Sequence, residues 1–240
     1  MNWYDLIGFG PNGRGPILLI ALLVTLAVTL VALVIGAVLG SIAAAGKLSR
    51  HRSARMVADL YTTVFRGVPE LLIIYLIYFG GSQAVTAVAG WFGASGFLGL
   101  PSFAAGAIAV GVVSGSYQTE VFRSAYRAIS PGEIEAARAM GMPTLLVFRR
   151  IIAPQVLRFA LPGLGNVLQL SLKDSALVSV TGLFEIMRTA QSAAGSTHQY
   201  FLFYIVGGSL YLVLTSIAEQ IFGTAERRIA KSFRSSIGRG

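Results

Sequence analysis

The sequence predicts an all-α integral membrane protein with five transmembrane helices, and three features of its composition support this. Charged residues make up 12% of the chain, against about a quarter in a typical soluble domain. Hydrophobic residues make up 55%, and the mean hydropathy is +0.71. Five apolar segments are long enough to cross a bilayer as helices. We therefore expect a single transmembrane domain over residues 1–240.

The first two apolar segments differ in their polar content. Residues 16–46 contain no charged side chain. This run is too long for the apolar region of a cleaved signal peptide, so we expect a retained span. The second segment, residues 54–80, contains Arg66, Pro69 and Glu70. Two ionisable residues and a proline are unusual inside a membrane span.

The remaining spans are expected at residues 102–122, 155–183 and 201–223. Residues 82–100 contain Trp91 and many small residues, and they are too weakly apolar for a full span. We expect this stretch to form an interfacial loop or a short helix.

Basic residues predict the orientation of the bundle. They follow the first, third and fifth spans, while the alternate loops hold only Arg14 and Arg188. The positive-inside rule then places the N-terminus in the periplasm and the C-terminus in the cytoplasm. The net charge of +9 lies mostly in these short loops, so it indicates topology and not nucleic-acid binding.

A polar segment at residues 130–154 separates two apolar runs and must protrude into the cytoplasm. Ser130 suits an N-cap, Pro131 suits the first helical position, and Glu133 completes a capping-box pattern. Gly141 is placed to end this helix in a left-handed conformation. We expect a helix over residues 131–140.

A second short helix is expected to begin at Pro143 and to stop near Pro154. Across both helices the segment follows the spacing E-A-A-x3-G-x9-I-x-x-P, formed by Glu135, Ala136, Ala137, Gly141, Ile151 and Pro154. This spacing resembles the EAA loop of permease subunits of bacterial ABC importers. The family usually has Leu before the final proline, where this chain has Ala153. The resemblance implies that residues 131–153, including Glu133, dock onto an ATPase.

Further motifs resemble the polar amino-acid subfamily of these permeases, and they are Phe65-Arg66-Gly67-Val68-Pro69, Ala125-Tyr126-Arg127-Ala128-Ile129, Leu161-Pro162 with Asn166, and Lys173-Asp174-Ser175-Ala176-Leu177. The likeness is to histidine/lysine/arginine/ornithine permeases and their opine-transporting relatives. It implies a subunit of the bacterial inner membrane that imports basic amino acids or opine-like derivatives.

The same resemblance implies several partners. They are an ABC ATPase dimer, a second permease subunit (a homologous chain or a second copy), and a periplasmic substrate-binding protein. ATP and Mg²⁺ would bind the ATPase, and no cofactor is expected in this chain. Gly40, Gly46 and Lys47 do not have the spacing of a phosphate-binding loop.

Polar residues at membrane depth are candidates for the substrate pathway. Arg66 and Glu70 lie one helical turn apart and flank Pro69. They can form a structural ion pair that stabilises a distorted helix, or they can contact substrate.

The fourth span carries a second polar stripe, formed by Asn166, Gln169 and Lys173, with Asp174 beside it. Pro162, Gly163 and Gly165 are expected to break the helix just before this stripe. A broken helix exposes backbone groups that can bind an amino acid, although Asn166 and Gln169 can equally form hydrogen bonds between helices. Gln118, in the third span, can belong to the facing wall.

Two small-residue pairs, Gly36/Gly40 and Gly111/Gly115, allow close helix contact within the bundle or between subunits. A self-contained secondary transporter or channel is the main alternative function, and the absence of a visible internal repeat argues against it. A membrane enzyme is a third class. The sequence offers no catalytic constellation and no metal-ligand cluster for it.

Overall fold

The computed structural model describes residues 6–10, 13–93 and 96–237, with side chains as far as residue 228. Every regular element in these ranges is a helix, which confirms the all-α prediction. The helices are α1 Gly15–Leu48, α2 Arg52–Gly67, α3 Glu70–Trp91, α4 Ser102–Arg127, α5 Pro131–Ala139, α6 Thr144–Thr181, α7 Ile186–Thr197 and α8 Tyr200–Ile237.

The predicted second span is divided between two helices. α2 ends at Gly67, Val68 has extended backbone angles of φ −93° and ψ 138°, and Pro69 precedes α3. A residue before proline avoids the helical region, and proline suits a helix start, so the division falls here. The apolar helix then continues to Trp91. The expectation of a loop or short helix at residues 82–100 is therefore wrong for residues 82–91, which complete α3.

Helix α6 is longer than the sequence predicts. It contains a π turn at Phe148–Ile152, an α-helix at Ala153–Asp174 and a 3₁₀ segment at Ser175–Thr181. The expectation that a short helix stops near Pro154 is wrong, because the helix continues through it. A π turn beside Pro154 rearranges the local hydrogen bonds, so the missing N–H of proline does not end the helix.

Four helices within the described ranges are long and apolar enough to cross a membrane, and they are Gly15–Leu48, Glu70–Trp91, Thr144–Thr181 and Tyr200–Arg228. Helix α4, predicted as the third of five spans, has 26 residues, and half of them are buried. A helix enclosed by its neighbours exposes little surface to lipid and can be less apolar. The count of five spans and their orientation stay predictions.

Glycines allow α1 and α4 to pack closely in the centre of the bundle. A Cβ on Gly36 would lie 2.5 Å from Nε2 of Gln118, and one on Gly40 would lie 2.9 Å from Cβ of Gln118. A Cβ on Gly111 would lie 2.8 Å from Cβ of Ile35. Such distances leave no room for a side chain. Of the two alternatives for the small-residue pairs, the structure shows packing within the bundle.

Enlarging a glycine of this contact should destabilise the bundle. We expect Gly40→Leu to lower the free energy of unfolding by about 1–3 kcal/mol, because the added side chain must push α1 and α4 apart. The control is Gly208→Leu in α8, where a Cβ would meet no atom within 4 Å. Thermal denaturation in detergent measures both variants, and an equal loss of stability would contradict the prediction.

A charge network joins the ends of three helices. Lys47 of α1 lies 2.9 Å from a carboxylate oxygen of Asp59 in α2 and 2.7 Å from one of Glu120 in α4. Arg123 pairs with the other oxygen of Glu120 at 2.6 Å. The Lys47 side chain is only 11% exposed. It is therefore a structural crosslink as well as a basic residue that marks topology.

Candidate functional site

The candidate docking loop comprises residues 130–154, and its first half forms helix α5. Ser130 is its N-cap and Pro131 its first residue, as predicted, but the N-cap side chain makes no capping hydrogen bond. Glu133 instead accepts a 2.5 Å hydrogen bond from Nε2 of Gln155 in α6. The capping-box expectation is therefore wrong, because the glutamate side chain is used to connect the two helices of the loop.

The end of α5 has the geometry that the sequence predicts. Gly141 has φ +77°, which confirms the left-handed conformation. The Gly141 N–H donates to the carbonyl of Arg138 at 2.9 Å, and the Met142 N–H donates to that of Ala137 at 3.1 Å. These two bonds form a Schellman motif, which needs a residue with positive φ at this position. Gly141 therefore sets the direction in which the chain leaves α5.

The loop exposes both polar and apolar side chains. Glu135, Ala136 and Pro154 are exposed, Ile151 is half-buried, and Ala137 is buried. Three large apolar side chains are also solvent-exposed: Met140 at 83%, Leu145 at 69% and Phe148 at 52%. Leu145 was not among the residues predicted from the sequence, although it lies in a short apolar run inside a polar segment. We call Met140, Leu145 and Phe148 the apolar tip.

A second group of candidate side chains, which we call the polar cluster, contains Arg66, Glu70, Tyr117 and Asp174. Glu70 and Asp174 line the same narrow cleft beside Ala109 of α4 and are close enough to repel each other electrostatically. The guanidinium carbon of Arg66 lies 5.3 Å from the centroid of the Tyr117 ring.

The polar cluster changes the interpretation of Arg66 and Glu70. No ion pair forms between them among the described side chains, since Arg66 stacks on Tyr117 instead. The structural ion-pair alternative is therefore wrong. Sequence spacing could not reveal that Asp174 lies beside Glu70, because the two residues are distant in the chain and are brought together by the packing of α3 and α6 against α4.

The polar stripe of the fourth span does not follow a helix break. The α-helix Ala153–Asp174 runs uninterrupted through Pro162, so the expected break is wrong. Gly163 and Gly165 instead allow close packing, because added Cβ atoms would lie 2.9 Å from Val121 and 3.3 Å from Phe222.

The members of that stripe have different surroundings. Gln169 donates a 2.9 Å hydrogen bond to Glu219 of α8, so for this residue the structure shows bonding between helices. Asn166 and Lys173 are exposed. Beyond Ala153 the helix keeps α geometry as far as Asp174, and the 3₁₀ segment Ser175–Thr181 then leads to Gly182, whose φ is +86°.

Gln118 does not line an open pathway. Its side chain is 1% exposed, and Nε2 donates to the carbonyl of Leu33 at 3.2 Å and to Oγ of Ser114 at 3.0 Å. Gln118 was expected in a wall of the pathway. In this structure its side chain lies instead in the contact between α1 and α4.

Glu185 is a buried residue that was not predicted from the sequence. It is fully buried and is the N-cap of α7, where it accepts hydrogen bonds from the N–H groups of Met187 and Arg188 at 2.9 and 2.7 Å. Tyr211 of α8 donates a further bond at 2.5 Å. An acidic residue directly before a helix was the available signal. Glu185 connects the turn after α6 to α8.

The described ranges form a bundle with four helices long and apolar enough to cross a bilayer, which defines the class of multi-span membrane proteins. Residues 36–231 match the family of binding-protein-dependent transport system inner membrane components. The chain belongs to this family and is therefore an inner-membrane component of an ABC-type transport system.

Two relatives illustrate the similarity. The octopine transport system permease protein OccQ of Agrobacterium tumefaciens is 50% identical over 237 residues, covering 99% of this chain and 100% of the relative. The histidine/lysine/arginine/ornithine transport system permease protein HisQ of Escherichia coli is 42% identical over 187 residues, covering 78% of this chain and 82% of the relative.

Solved structures agree with the fold. A crystal structure of an amino acid ABC transporter with histidines aligns with a TM-score of 0.74 at 34% identity, covering 90% of this chain and 95% of the other. An inward-facing structure of the MetNI methionine ABC transporter aligns with the same TM-score at 17% identity, covering 90% and 97%. At that identity the second match shows the fold alone.

Proposed function

We propose that this chain is the permease subunit of an ATP-driven importer that moves basic amino acids or opine-like derivatives across the inner membrane. The observation that carries the proposal is the docking loop, in which a Schellman-capped helix is followed by the exposed apolar tip. Large apolar side chains exposed on a polar loop indicate a protein–protein contact. The EAA spacing indicates an ATPase as the partner.

ATP and Mg²⁺ bind a separate ATPase in this proposal. Lys47 is the lysine that follows Gly40 and Gly46 in the segment compared above with a phosphate-binding loop. Its ammonium group pairs with the carboxylates of Asp59 and Glu120. A lysine paired with two carboxylates is not available to a nucleotide phosphate. The energy for transport then has to reach this chain through the docking loop.

The polar cluster is the proposed substrate contact. Two carboxylates that lie close together are stabilised by a cation between them, and the side chains of lysine, arginine and ornithine supply one. Arg66, which is exposed and stacked on Tyr117, is placed to attract the carboxylate of an amino acid. The substrates for which these relatives are named, octopine and the basic amino acids, are consistent with this charge pattern.

The transport step follows from these two sites. The polar cluster is only partly buried in the isolated chain, so a second permease subunit, either a homologous chain or a second copy, would close the pathway over it. A periplasmic binding protein would deliver the substrate. Closure of the ATPase dimer would push the helices of the docking loop, and the paired permeases would rock between outward-facing and inward-facing states.

Reconstitution tests the proposal. The chain is placed in liposomes with its ATPase, second permease and binding protein, and uptake of labelled arginine is measured with ATP inside. We expect ATP-dependent uptake that unlabelled lysine or octopine inhibits and glutamate does not. Inhibition by glutamate alone would reject the substrate assignment while leaving the permease function intact.

The alternative function, a self-contained secondary transporter or channel, is tested by the same preparation. Liposomes that contain this chain alone receive an ion gradient and no ATPase. Uptake by the chain alone at the rate of the complete system would reject the importer proposal.

A further inference from the structure

An open groove lies between the ends of α1 and α2, on the side of the molecule that carries the first cluster of basic residues. Its volume is about 600 Å³, and its lining includes Leu39, Ile42, Gly46, Ala54, Val57 and Tyr61. Ile42 and Val57 are 65% and 64% exposed, so the groove presents apolar side chains at its mouth. It is separate from both the docking loop and the polar cluster.

The turn at the end of the groove carries a concentrated positive charge. Arg50, His51, Arg52 and Arg55 lie within six residues, and all four side chains are exposed. We call this set the basic turn. No hydrogen bond or ion pair engages these side chains within the described part of the chain, since the nearby acid, Asp59, pairs with Lys47.

The length of α1 places the basic turn at the membrane surface. Its 34 residues extend about 50 Å at 1.5 Å per residue, which exceeds the roughly 30 Å hydrocarbon core. The helix can therefore cross the core completely, and the charged turn after Leu48 lies at the level of the lipid headgroups because arginine side chains are costly in hydrocarbon. Clusters of arginine beside a membrane helix attract anionic lipids.

We propose that the groove and the basic turn form a binding site for an anionic phospholipid. One acyl chain lies in the groove beside Ala54 and Val57, and the phosphate contacts Arg52 and Arg55. Apolar lining with adjacent unpaired arginines matches the two halves of a phospholipid molecule. A protein partner would instead need carboxylates opposite the basic turn and would cover Val57.

The test uses the complete transporter complex in phosphatidylcholine nanodiscs that contain phosphatidylglycerol in both leaflets, so that the outcome does not depend on orientation. Phosphatidylglycerol bound to the complex is measured by native mass spectrometry. The test variant is the double substitution Arg52→Gln and Arg55→Gln. The matched control is Arg227→Gln with Arg228→Gln, which removes the same charge from another exposed basic pair.

We expect the test variant to bind phosphatidylglycerol roughly 30-fold more weakly, since each arginine near an anionic headgroup contributes roughly fivefold to binding. The control should bind as the wild type does. An Ala54→Leu variant, which narrows the groove without changing charge, should also lose bound phosphatidylglycerol. Retention of phosphatidylglycerol by the test variant, or an equal loss in the control, would overturn the proposal.

A second measurement separates lipid from protein as the occupant. The chain has no cysteine, so Val57→Cys introduces a unique thiol at the groove. We expect this thiol to react with a maleimide-bearing phosphatidylglycerol in the assembled complex. Efficient disulfide or bismaleimide crosslinking to a second permease chain would show that protein covers the groove and would overturn the lipid assignment.

Discussion

Replacing Gly141 with valine should reduce ATP-driven uptake by about tenfold or more while leaving the bundle folded. Gly141 has φ +77°, and a non-glycine residue in this region costs about 1–3 kcal/mol, with β-branched residues the most strained. The strain acts at the end of α5, where the Schellman bonds set the position of the apolar tip. The ATPase contact should therefore weaken, and uptake should fall with it.

The matched variant at the same position is Gly141→Asn. Asparagine enters the left-handed region more readily than other residues, so it should keep most of the uptake. The measurements are uptake per assembled complex and co-purification of the ATPase. Thermal denaturation of the permease should be similar for both variants. Equal uptake by the valine and asparagine variants would contradict the role assigned to the backbone of Gly141.

The second large effect is expected at the two carboxylates of the polar cluster. Glu70→Gln or Asp174→Asn should lower arginine uptake by about 30-fold or more, because losing one partner of a charge pair that the assembled transporter desolvates costs about 2–5 kcal/mol. The substitutions change almost no volume. Assembly with the ATPase and its basal hydrolysis should stay at the wild-type level, since neither residue lies in the docking loop.

Two controls isolate the charge of the substrate. Glu219→Gln also removes one carboxylate, but this α8 residue accepts a hydrogen bond from Gln169 of α6 and lies outside the polar cluster, so uptake should be unchanged. Citrulline has nearly the shape of arginine without its charge. Glu70→Gln and Asp174→Asn should therefore leave citrulline uptake at the wild-type rate. An equal fall in arginine uptake and citrulline uptake would show a structural defect instead.

The docking loop shows which local features sequence patterns can predict. The α5 boundaries and the positive φ of Gly141 followed from Ser130, Pro131 and a glycine at the correct spacing, because caps depend on a few adjacent residues. The hydrogen-bond partner of Glu133 could not be predicted from these adjacent residues. Its carboxylate was expected at the N-cap, whereas it bonds Gln155, 22 residues away, and such a choice depends on how α5 lies against α6.

The helix breaks show the limit of residue propensity. Proline and glycine around Pro162 predicted a break that is absent, while Pro69 ends one helix and begins another. Each proline lacks a backbone N–H group, so the surroundings of each proline decide whether the helix breaks there. Gly163 and Gly165 bring α6 close to Val121 and Phe222, and this packing favours a continuous helix despite the cost of an internal proline.

The sequence by itself determined the class of the molecule: an all-helical membrane protein whose motifs resemble ABC importer permeases and whose polar loop contains a helix that ends at Gly141. Hydrophobicity, charge placement and cap residues are local properties, so they can be read along the chain. Only the tertiary structure decided that Glu70 lies beside Asp174, that Arg66 stacks on Tyr117, and that Gln118 is buried against α1. Each of these pairs joins different helices, and their meeting depends on helix packing, which no single segment of the sequence encodes.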